Sequence, residues 1–280
     1  MTHREVMQIV TAQEALEGAG VRIRRSLGTP ALDYHDPFLL LDEFHSEDGA
    51  DYVAGFPDHP HRGFETVTYM LAGRMRHEDH TGARGELGPG SVQWMTAGRG
   101  IIHSEMPLQE QGLMWGFQLW VNLPARDKMT APRYQDIPAE RIPEITRVDG
   151  SRIRVVAGAV EGVVGPVSGI ATSPLYLDIV VPAKTSVVQP VPSAHNAFLY
   201  VFEGEGVVGG KRVERGQLAV LSRGSSDTVE LVASGQPLRA LLVAAKPLGE
   251  PVARYGPFVM NTREEIQRAF EDYRGGTFLS

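Results

Sequence analysis

Two short segments of the sequence each carry a pair of potential metal ligands separated by one residue. They are His59-Pro60-His61 and His103-Ser104-Glu105. In an extended strand, side chains at positions i and i+2 point to the same face, so each pair can direct two ligand atoms into one space. If the segments lie side by side, three imidazoles and one carboxylate converge. This donor set suits a divalent, redox-capable metal better than a closed structural zinc site, which usually recruits thiolates.

The spacing leaves the fourth ligand open. Glu65 follows His61 by four residues, and a strand that continued through both would place Glu65 on the same face as the histidines. Glu65 and Glu105 therefore compete for the fourth position. The glutamate that does not bind the metal could accept a hydrogen bond from a ligand imidazole instead.

Many short strands are expected to position these residues. Runs rich in β-branched and aromatic residues alternate with turn residues, and the chain contains 31 Gly and 19 Pro. This pattern is typical of an antiparallel sandwich or barrel, so we expect an all-β fold. One helix is expected near the C-terminus, where Thr262-Arg263-Glu264-Glu265 has the form of a capping box and Gly275-Gly276 ends the helical pattern.

A proline-rich stretch from Pro124 to Pro143 divides the chain into two parts of similar length. Prolines at this density are typical of a connector and not of a central strand. We therefore expect an N-terminal barrel with the metal site over residues 1–130 and a proline-rich linker over 131–146. The remaining residues, 147–280, are expected to form a C-terminal barrel without metal that ends in the helix.

The two parts of the chain are weakly similar to each other. Residues 65–73 and 196–204 share an apolar strand pattern that ends in glycine, and they align on Tyr69 and Tyr200. In this register, two prolines in the second part occupy the positions of His59 and His61. The alignment indicates a duplication in which only the first copy keeps a metal site.

Composition limits the classes of partner. The net charge is −7, which argues against direct nucleic-acid binding and against an anionic membrane surface, because both require clustered Lys and Arg. The chain has no cysteine, which removes any disulfide framework and fits an intracellular protein. No apolar stretch approaches the roughly 18–20 residues that span a bilayer. We expect a cytoplasmic protein without membrane contact.

Other candidate residues carry weaker signals. His77 and His80 lie in a polar segment, which favours a solvated hairpin connection. Trp94, Trp115 and Trp120 could line a pocket for a flat aromatic ligand, although core packing is the interpretation we favour for most of them.

The sequence resembles the pirins, a family of two-domain cupin proteins. The matching stretches occur in family order and span most of the chain: Asp36–Phe44, Phe56–Glu65, Gln93–Glu105, Leu119–Pro124 and Tyr255–Thr262. The resemblance implies two cupin-type (jelly-roll) β-barrels in tandem with a short C-terminal α-helix.

The resemblance also implies a ligand set. In pirins the residues that match His59, His61, His103 and Glu105 hold one metal ion in the N-terminal barrel, which favours Glu105 over Glu65. We expect a divalent ion, Fe(II) first, with Zn, Ni, Co, Mn or Cu as alternatives because divalent-metal affinities overlap.

Two functions of different classes follow from the resemblance. Some pirins are associated with quercetin 2,3-dioxygenase activity, in which O2 opens the ring of a flavonol and CO is released. In that reaction Glu105 would be the catalytic base that accepts the proton of the flavonol 3-hydroxyl. The alternative is a redox-sensitive metal-binding regulator that acts through a protein partner, as a transcription cofactor or as a modulator of a metabolic enzyme. An enclosed, aromatic-lined pocket beside the metal would favour the enzyme.

Overall fold

The computed structural model describes residues 3–224 and 226–280. These residues form 26 β-strands, three short 3-10 helices (Gly49–Asp51, Ala125–Asp127 and Ala139–Arg141) and one α-helix, α1 (Arg263–Gly275). The strands are, in chain order, β1 (Val6–Thr11), β2 (Gln13–Glu17), β3 (Val21–Leu27), β4 (Phe38–Ser46), β5 (Phe56–His61), β6 (Phe64–Ala72), β7 (Met75–Asp79), β8 (Arg84–Leu87), β9 (Val92–Thr96), β10 (Ile101–Pro107), β11 (Met114–Asn122), β12 (Arg133–Ile137), β13 (Glu144–Thr146), β14 (Arg152–Ala157), β15 (Ala159–Val160), β16 (Val163–Val164), β17 (Leu175–Val181), β18 (Ser186–Pro190), β19 (Asn196–Glu203), β20 (Glu205–Val208), β21 (Lys211–Glu214), β22 (Gln217–Leu221), β23 (Thr228–Ala233), β24 (Leu238–Ala245), β25 (Ala253–Tyr255) and β26 (Phe258–Met260).

The chain forms two compact units, each assembled from three segments. We name the first the site unit; it contains Glu14–Arg25, Phe38–Ala139 and Leu248–Ser280. We name the second the aliphatic unit; it contains Met1–Gln13, Ser26–Pro37 and Glu140–Pro247.

These boundaries differ from the expected division at residues 1–130, 131–146 and 147–280. Strand β1 belongs to the aliphatic unit, where it pairs with β22, and helix α1 belongs to the site unit. The expected linker contains strand β12, which pairs with β9 at the edge of the site unit's large sheet. Pro132 and Pro138 flank this strand without interrupting it. An edge strand tolerates such flanking prolines, so proline content alone did not distinguish it from a connector.

The two units have the same strand order except at one edge of the large sheet, where β12 is the last strand of its sheet in sequence and β1 is the first of its sheet. The site unit has a seven-stranded sheet β12-β9-β6-β11-β4-β3-β2 and a four-stranded sheet β5-β10-β7-β8. The aliphatic unit has a seven-stranded sheet β1-β22-β19-β24-β17-β14-β13 and a four-stranded sheet β18-β23-β20-β21. Tyr69 on β6 and Tyr200 on β19 lie on the third strand of their respective large sheets. The all-β, two-cupin architecture and the internal duplication are therefore confirmed.

The interiors of the two units are filled differently. The main apolar cluster of the aliphatic unit consists of Val, Leu, Ile and Ala side chains. In the site unit, a smaller apolar cluster that includes Ile23, Phe44 and Met75 lies beside buried polar residues. Since a buried polar group is costly unless it is paired, these residues identify the region where function is to be sought.

The C-terminal helix has the predicted ends. The Thr262 hydroxyl accepts a hydrogen bond from the Glu265 amide, and the Glu265 side chain accepts one from the Thr262 amide, which completes a capping box. Gly276 follows the helix in the left-handed conformation, with φ of 74°. Helix α1 packs on β25 and β26 in the site unit. Among the residues described, none of the helices has both the length and the apolar character needed to cross a membrane.

Candidate metal centre

Strands β5 and β10 bring the two ligand pairs together. They pair antiparallel, with His103 opposite His59 and Ile101 opposite His61. Because directly opposed residues share a face of the sheet, the three imidazoles converge. One ring nitrogen from each of His59, His61 and His103 lies within 4.8 Å of the others.

The environment keeps two of these imidazoles neutral. His103 is 0% exposed and His61 is 3% exposed. Burial lowers the pKa of His103 to about 4, and the neighbouring His59 adds to this effect. Burial, followed by the charges of His59 and His103, also lowers the pKa of His61 well below its ordinary value. Neutral imidazoles have the free lone pair that a metal ion requires.

The hydrogen bonding of the cluster fits a metal ion. Neither ring nitrogen of His103 has a hydrogen-bond partner among the described residues, although both are buried. Nδ1 of His59 lies 2.8 Å from the carbonyl oxygen of Pro57, and Nδ1 of His61 lies 3.5 Å from that of Pro257. A carbonyl facing Nδ1 favours a proton there and leaves Nε2 as the donor to a metal. The three histidines thus form a candidate site for a divalent transition metal.

Glu105 is buried near this cluster but is not part of the convergent group of three. Its Oε1 accepts a hydrogen bond from the Thr68 hydroxyl at 3.0 Å, and its Oε2 accepts one from the Gln118 amide at 2.9 Å. These partners come from β6 and β11 in the facing sheet. The pairing of β10 with β5 shifts register after the His103–His59 pair, but β10 itself is regular, so His103 and Glu105 lie on the same buried face as expected. A carboxylate has lone pairs beyond these two hydrogen bonds, so its role as fourth ligand stays a prediction.

The strand that carries His61 does not continue to Glu65. Strand β5 ends at His61, and Gly63, with φ of 88°, makes a turn before β6 begins. On β6, Glu65 and Thr68 point to opposite faces because side chains alternate along a strand, and Thr68 faces Glu105. Glu65 instead accepts a hydrogen bond from Thr96 at 2.7 Å. It lies on the other side of the large sheet and does not compete for the metal.

A cavity of about 670 Å³ adjoins the histidine cluster within the site unit. His59, His61, Thr68, Gln118 and Trp120 line it on one side. Its remaining walls combine apolar residues, five charged residues and part of the C-terminal segment: Ile23, Leu40, Phe44, Phe56, Pro57, Met75, Glu17, Gly18, Ala19, Arg25, Asp42, Asp58, Arg254, Gly256 and Pro257. A cavity that combines apolar walls with convergent polar groups is typical of small-molecule sites.

The three tryptophans have different roles. The ring centroid of Trp120 lies 5.2 Å from that of His61, so Trp120 is the tryptophan that contributes to the cavity wall. Trp94 is buried on the opposite face of the large sheet, and Trp115 donates a hydrogen bond to Glu43. The interpretation as core packing therefore applies to Trp94 and not to Trp120.

The cavity wall contains an ion pair that the sequence patterns did not predict. The Arg25 guanidinium donates two hydrogen bonds of 2.7 Å to the Asp42 carboxylate. Burial raises the pKa of Asp42 to about 6, against the opposing effect of Arg25. The acidic residue Asp42 inside the apolar run Phe38–Phe44 could have indicated a buried ion pair. Its partner Arg25 lies 17 residues earlier on another strand, and no sequence pattern links the two.

The interpretation of His77 as solvated is wrong. His77 is 2% exposed on β7, directly opposite Glu105 on β10. It stacks on Tyr134 at 5.3 Å, and its Nε2 lies 3.3 Å from the Asp136 carboxylate. Residues 75, 77 and 79 are buried while 76 and 78 are exposed, so the segment has the period of a strand. The polar composition concealed this alternation. His80, by contrast, is exposed as expected.

Known proteins similar to this chain share its full length. The Pirin family model matches residues 20–121, and the model of the Pirin C-terminal cupin domain matches residues 176–279. A pirin-like protein of Caulobacter vibrioides is 52% identical over 279 residues, which are 99% of this chain and 100% of that protein. Human pirin is 44% identical over 278 residues, and this match covers 97% of this chain and 92% of human pirin. A solved quercetin 2,3-dioxygenase from Acinetobacter baumannii has a TM-score of 0.91 at 34% identity, and the match covers 100% of this chain and 99% of that one.

Proposed function

Because this chain belongs to the pirin family, we propose that it is a metal-dependent quercetin (flavonol) 2,3-dioxygenase. The observation that carries the proposal is the position of three convergent histidines beside a cavity of about 670 Å³. An exposed metal beneath a flat charged surface would have favoured a regulator. A cavity with aromatic walls next to the ligands supports a small-molecule reaction.

The metal site is proposed to use His59, His61 and His103 with Glu105 as the fourth ligand. Three neutral imidazoles and one carboxylate leave a divalent ion with net positive charge and with open coordination positions. Fe(II) is the proposed resident ion, and the same donors accept Zn, Ni, Co, Mn or Cu. When bound, the metal would supply Lewis acidity toward a flavonol 3-hydroxyl and redox contact with O2.

The side chains around Glu105 define its part in the reaction. Thr68 and Gln118 each donate a hydrogen bond to its carboxylate, so its orientation is fixed before substrate arrives. A buried carboxylate held in this way can accept the proton of the flavonol 3-hydroxyl. Ring opening by O2 with release of CO then completes the proposed reaction.

The cavity walls suit a flat, hydroxylated aromatic ligand. Trp120 lies beside His61 and offers a large planar surface, and Phe44 and Phe56 add apolar wall to the same cavity. The Arg25–Asp42 pair places hydrogen-bonding groups in the same cavity as these aromatic side chains. A polyphenol matches both properties.

Aerobic consumption of quercetin by Fe(II)-loaded protein tests the proposal. We expect metal-dependent loss of quercetin with release of CO, and we expect His59→Ala to abolish both. The control is His45→Ala, which removes an exposed imidazole outside the cluster. If the loaded wild-type protein consumes no quercetin beyond the metal-free protein, the dioxygenase proposal is wrong. The redox-sensitive regulator that acts through a protein partner would then replace it.

A further inference from the structure

We infer that Arg62, Lys128 and Asp272 are positioning residues that lock the turn after His61 and so set the geometry of the metal centre. The inference rests on the metal site proposed above and adds residues that neither bind the metal nor line the cavity. The observation behind it is a dense set of contacts between this turn and the C-terminal segment of the site unit. We name residues 62–63 the ligand turn.

Arg62 joins the ligand turn to two other segments. It directly follows His61 and is 4% exposed. Its Nη1 lies 2.6 Å from the Asp272 carboxylate on α1, and its Nη2 donates to the carbonyl oxygen of Phe278 at 3.0 Å. Its Nε donates to the carbonyl oxygen of Arg99, which lies two residues before the strand that carries His103. One guanidinium therefore connects the segments that carry His61 and His103 to helix α1 and to Phe278 near the C-terminus.

Lys128 closes the other side of the ligand turn. Its ammonium group donates to the carbonyl oxygens of Gly63 at 2.8 Å and Val259 at 3.0 Å, and to the Asn122 side chain at 2.7 Å. All three of its N–H donors are used. Lys128 is 1% exposed, and this burial lowers the pKa of its ammonium group to about 8.

The backbone of the ligand turn is equally confined. The amide of Val259 donates to the carbonyl oxygen of Arg62 at 3.0 Å. A Cβ on Gly63 would lie 2.0 Å from the carbonyl oxygen of Val259, so only glycine allows this approach. The carbonyl of Pro257, in the same C-terminal segment, faces Nδ1 of His61 at 3.5 Å. The position of His61 is therefore fixed by residues that arrive almost 200 positions later in the chain.

These contacts predict an effect on metal affinity that can be measured in the folded protein. Groups that orient ligands typically change metal affinity by about 10–100-fold when they are removed, because the ligands are no longer held in place. Asp272 is suitable for the test, since its side chain is 30% exposed and its removal leaves no cavity in a core.

The test compares Asp272→Asn with Glu271→Gln, which removes one carboxylate charge from the adjacent, exposed position of the same helix. Co(II) is the probe, and the measurements are its dissociation constant, the visible spectrum of the Co(II) protein and the Tm of the metal-free protein. For Asp272→Asn we expect Co(II) binding weaker by about tenfold or more and an altered spectrum. The Tm should fall by more than in Glu271→Gln, because the buried Arg62 loses its carboxylate partner, so affinity and spectrum are compared at a temperature where every variant is folded. Asp272→Glu, which keeps a carboxylate facing Arg62, should bind Co(II) more tightly than Asp272→Asn.

Wild-type affinity and an unchanged spectrum in Asp272→Asn would overturn the inference. Equal affinities in Asp272→Glu and Asp272→Asn would do the same. Both readouts are independent of quercetin. A wild-type protein that binds Co(II) but does not turn over quercetin would contradict the proposed reaction while leaving the positioning role in place.

Discussion

The strands of the two units correspond, but side chains at equivalent interior positions differ: several are polar in the site unit where the aliphatic unit has apolar ones. In the site unit, Thr68 on β6 pairs with Gln118 on β11, and both donate hydrogen bonds to Glu105. At the same positions in the aliphatic unit, Leu199 on β19 pairs with Leu242 on β24. Two donors that hold a carboxylate are thus replaced by two apolar side chains that pack in a core.

The small sheets differ in the same way. Strand β10 contributes His103 and Glu105 to the interior of the site unit, whereas its counterpart β23 contributes Val229 and Leu231 to the aliphatic core. The fold therefore does not need polar residues at these positions. Burying them without a ligand costs free energy, because each must be desolvated and paired. The polar interior of the site unit is therefore not a requirement of the fold, and the aliphatic unit shows what the same scaffold contains without it.

The largest expected effect comes from making the site unit resemble the aliphatic unit at one ligand. His103→Val introduces the residue type found on β23 and removes an imidazole whose two nitrogens lack hydrogen-bond partners among the described residues. We expect complete loss of stoichiometric metal binding and of quercetin consumption. The metal-free protein should be at least as stable as the wild type, because an unpaired buried polar group has been removed. Metal content after loading and urea unfolding measure the two effects.

His45→Ala serves as the control for His103→Val, since it removes an exposed histidine from the same unit. A His103→Val protein that retains one metal ion per chain would show that the histidine cluster is not the metal site.

The next effect concerns the proposed base. Glu105→Gln keeps the size of the side chain and its place between Thr68 and Gln118 but removes its negative charge. We expect kcat for quercetin to fall by about 10²–10⁴-fold, the usual contribution of a positioned general base, while metal content falls much less. Steady-state kinetics and metal analysis on the same preparation separate the two.

Glu65→Gln is the matched control for Glu105→Gln, because Glu65 is also buried but lies on the opposite face of the large sheet. It should keep wild-type kcat. Full activity together with full metal content in Glu105→Gln would rule out the role of Glu105 as base.

Local patterns in the sequence predicted those parts of the molecule that depend on local rules. The spacing of His59, His61 and His103 follows from strand alternation, and the ends of α1 follow from capping residues. The alignment of Tyr69 with Tyr200 predicted the duplication. Strand alternation and helix capping depend on residues that are close in sequence, and the duplication is recognised by comparing the chain with itself.

Contacts between distant segments left no such signal. The Arg62–Asp272 ion pair joins residues 210 positions apart, and β1 pairs with a strand, β22, that lies more than 200 positions later in the chain. The turn at Gly63 reversed the expected face of Glu65, because one positive φ angle changes which side chains share a surface. Prediction failed where a tertiary contact, not a periodicity, decides the structure.

The smallest expected effect concerns a position on the outer face of the large sheets, where the site unit has a carboxyl group and the aliphatic unit has an amide. Glu65 aligns with Asn196, an uncharged residue whose amide donates to the carbonyl oxygen of Asp36. Burial raises the pKa of Glu65 to about 7 from its ordinary value of 4.5. The folded protein therefore binds this proton more tightly than the unfolded chain does. The stabilisation is complete below about pH 4.5 and is lost as the pH rises through about 7, with a total of about 3 kcal/mol.

Glu65→Gln carries no charge at any pH and so resembles the aliphatic unit at this position. Its free energy of unfolding should equal that of the wild type near pH 4.5 and exceed it by up to about 3 kcal/mol at pH 8, since the wild-type carboxyl must then ionise in a buried site. Urea unfolding at a series of pH values measures the difference, with the exposed Glu14→Gln as the control. A difference that does not change with pH would mean that Glu65 ionises in the folded protein as it does in the unfolded chain. The buried carboxyl of Glu65 would then cost no more to ionise than an exposed one, and replacing Asn196 by a glutamate in the aliphatic unit would be expected to cost equally little.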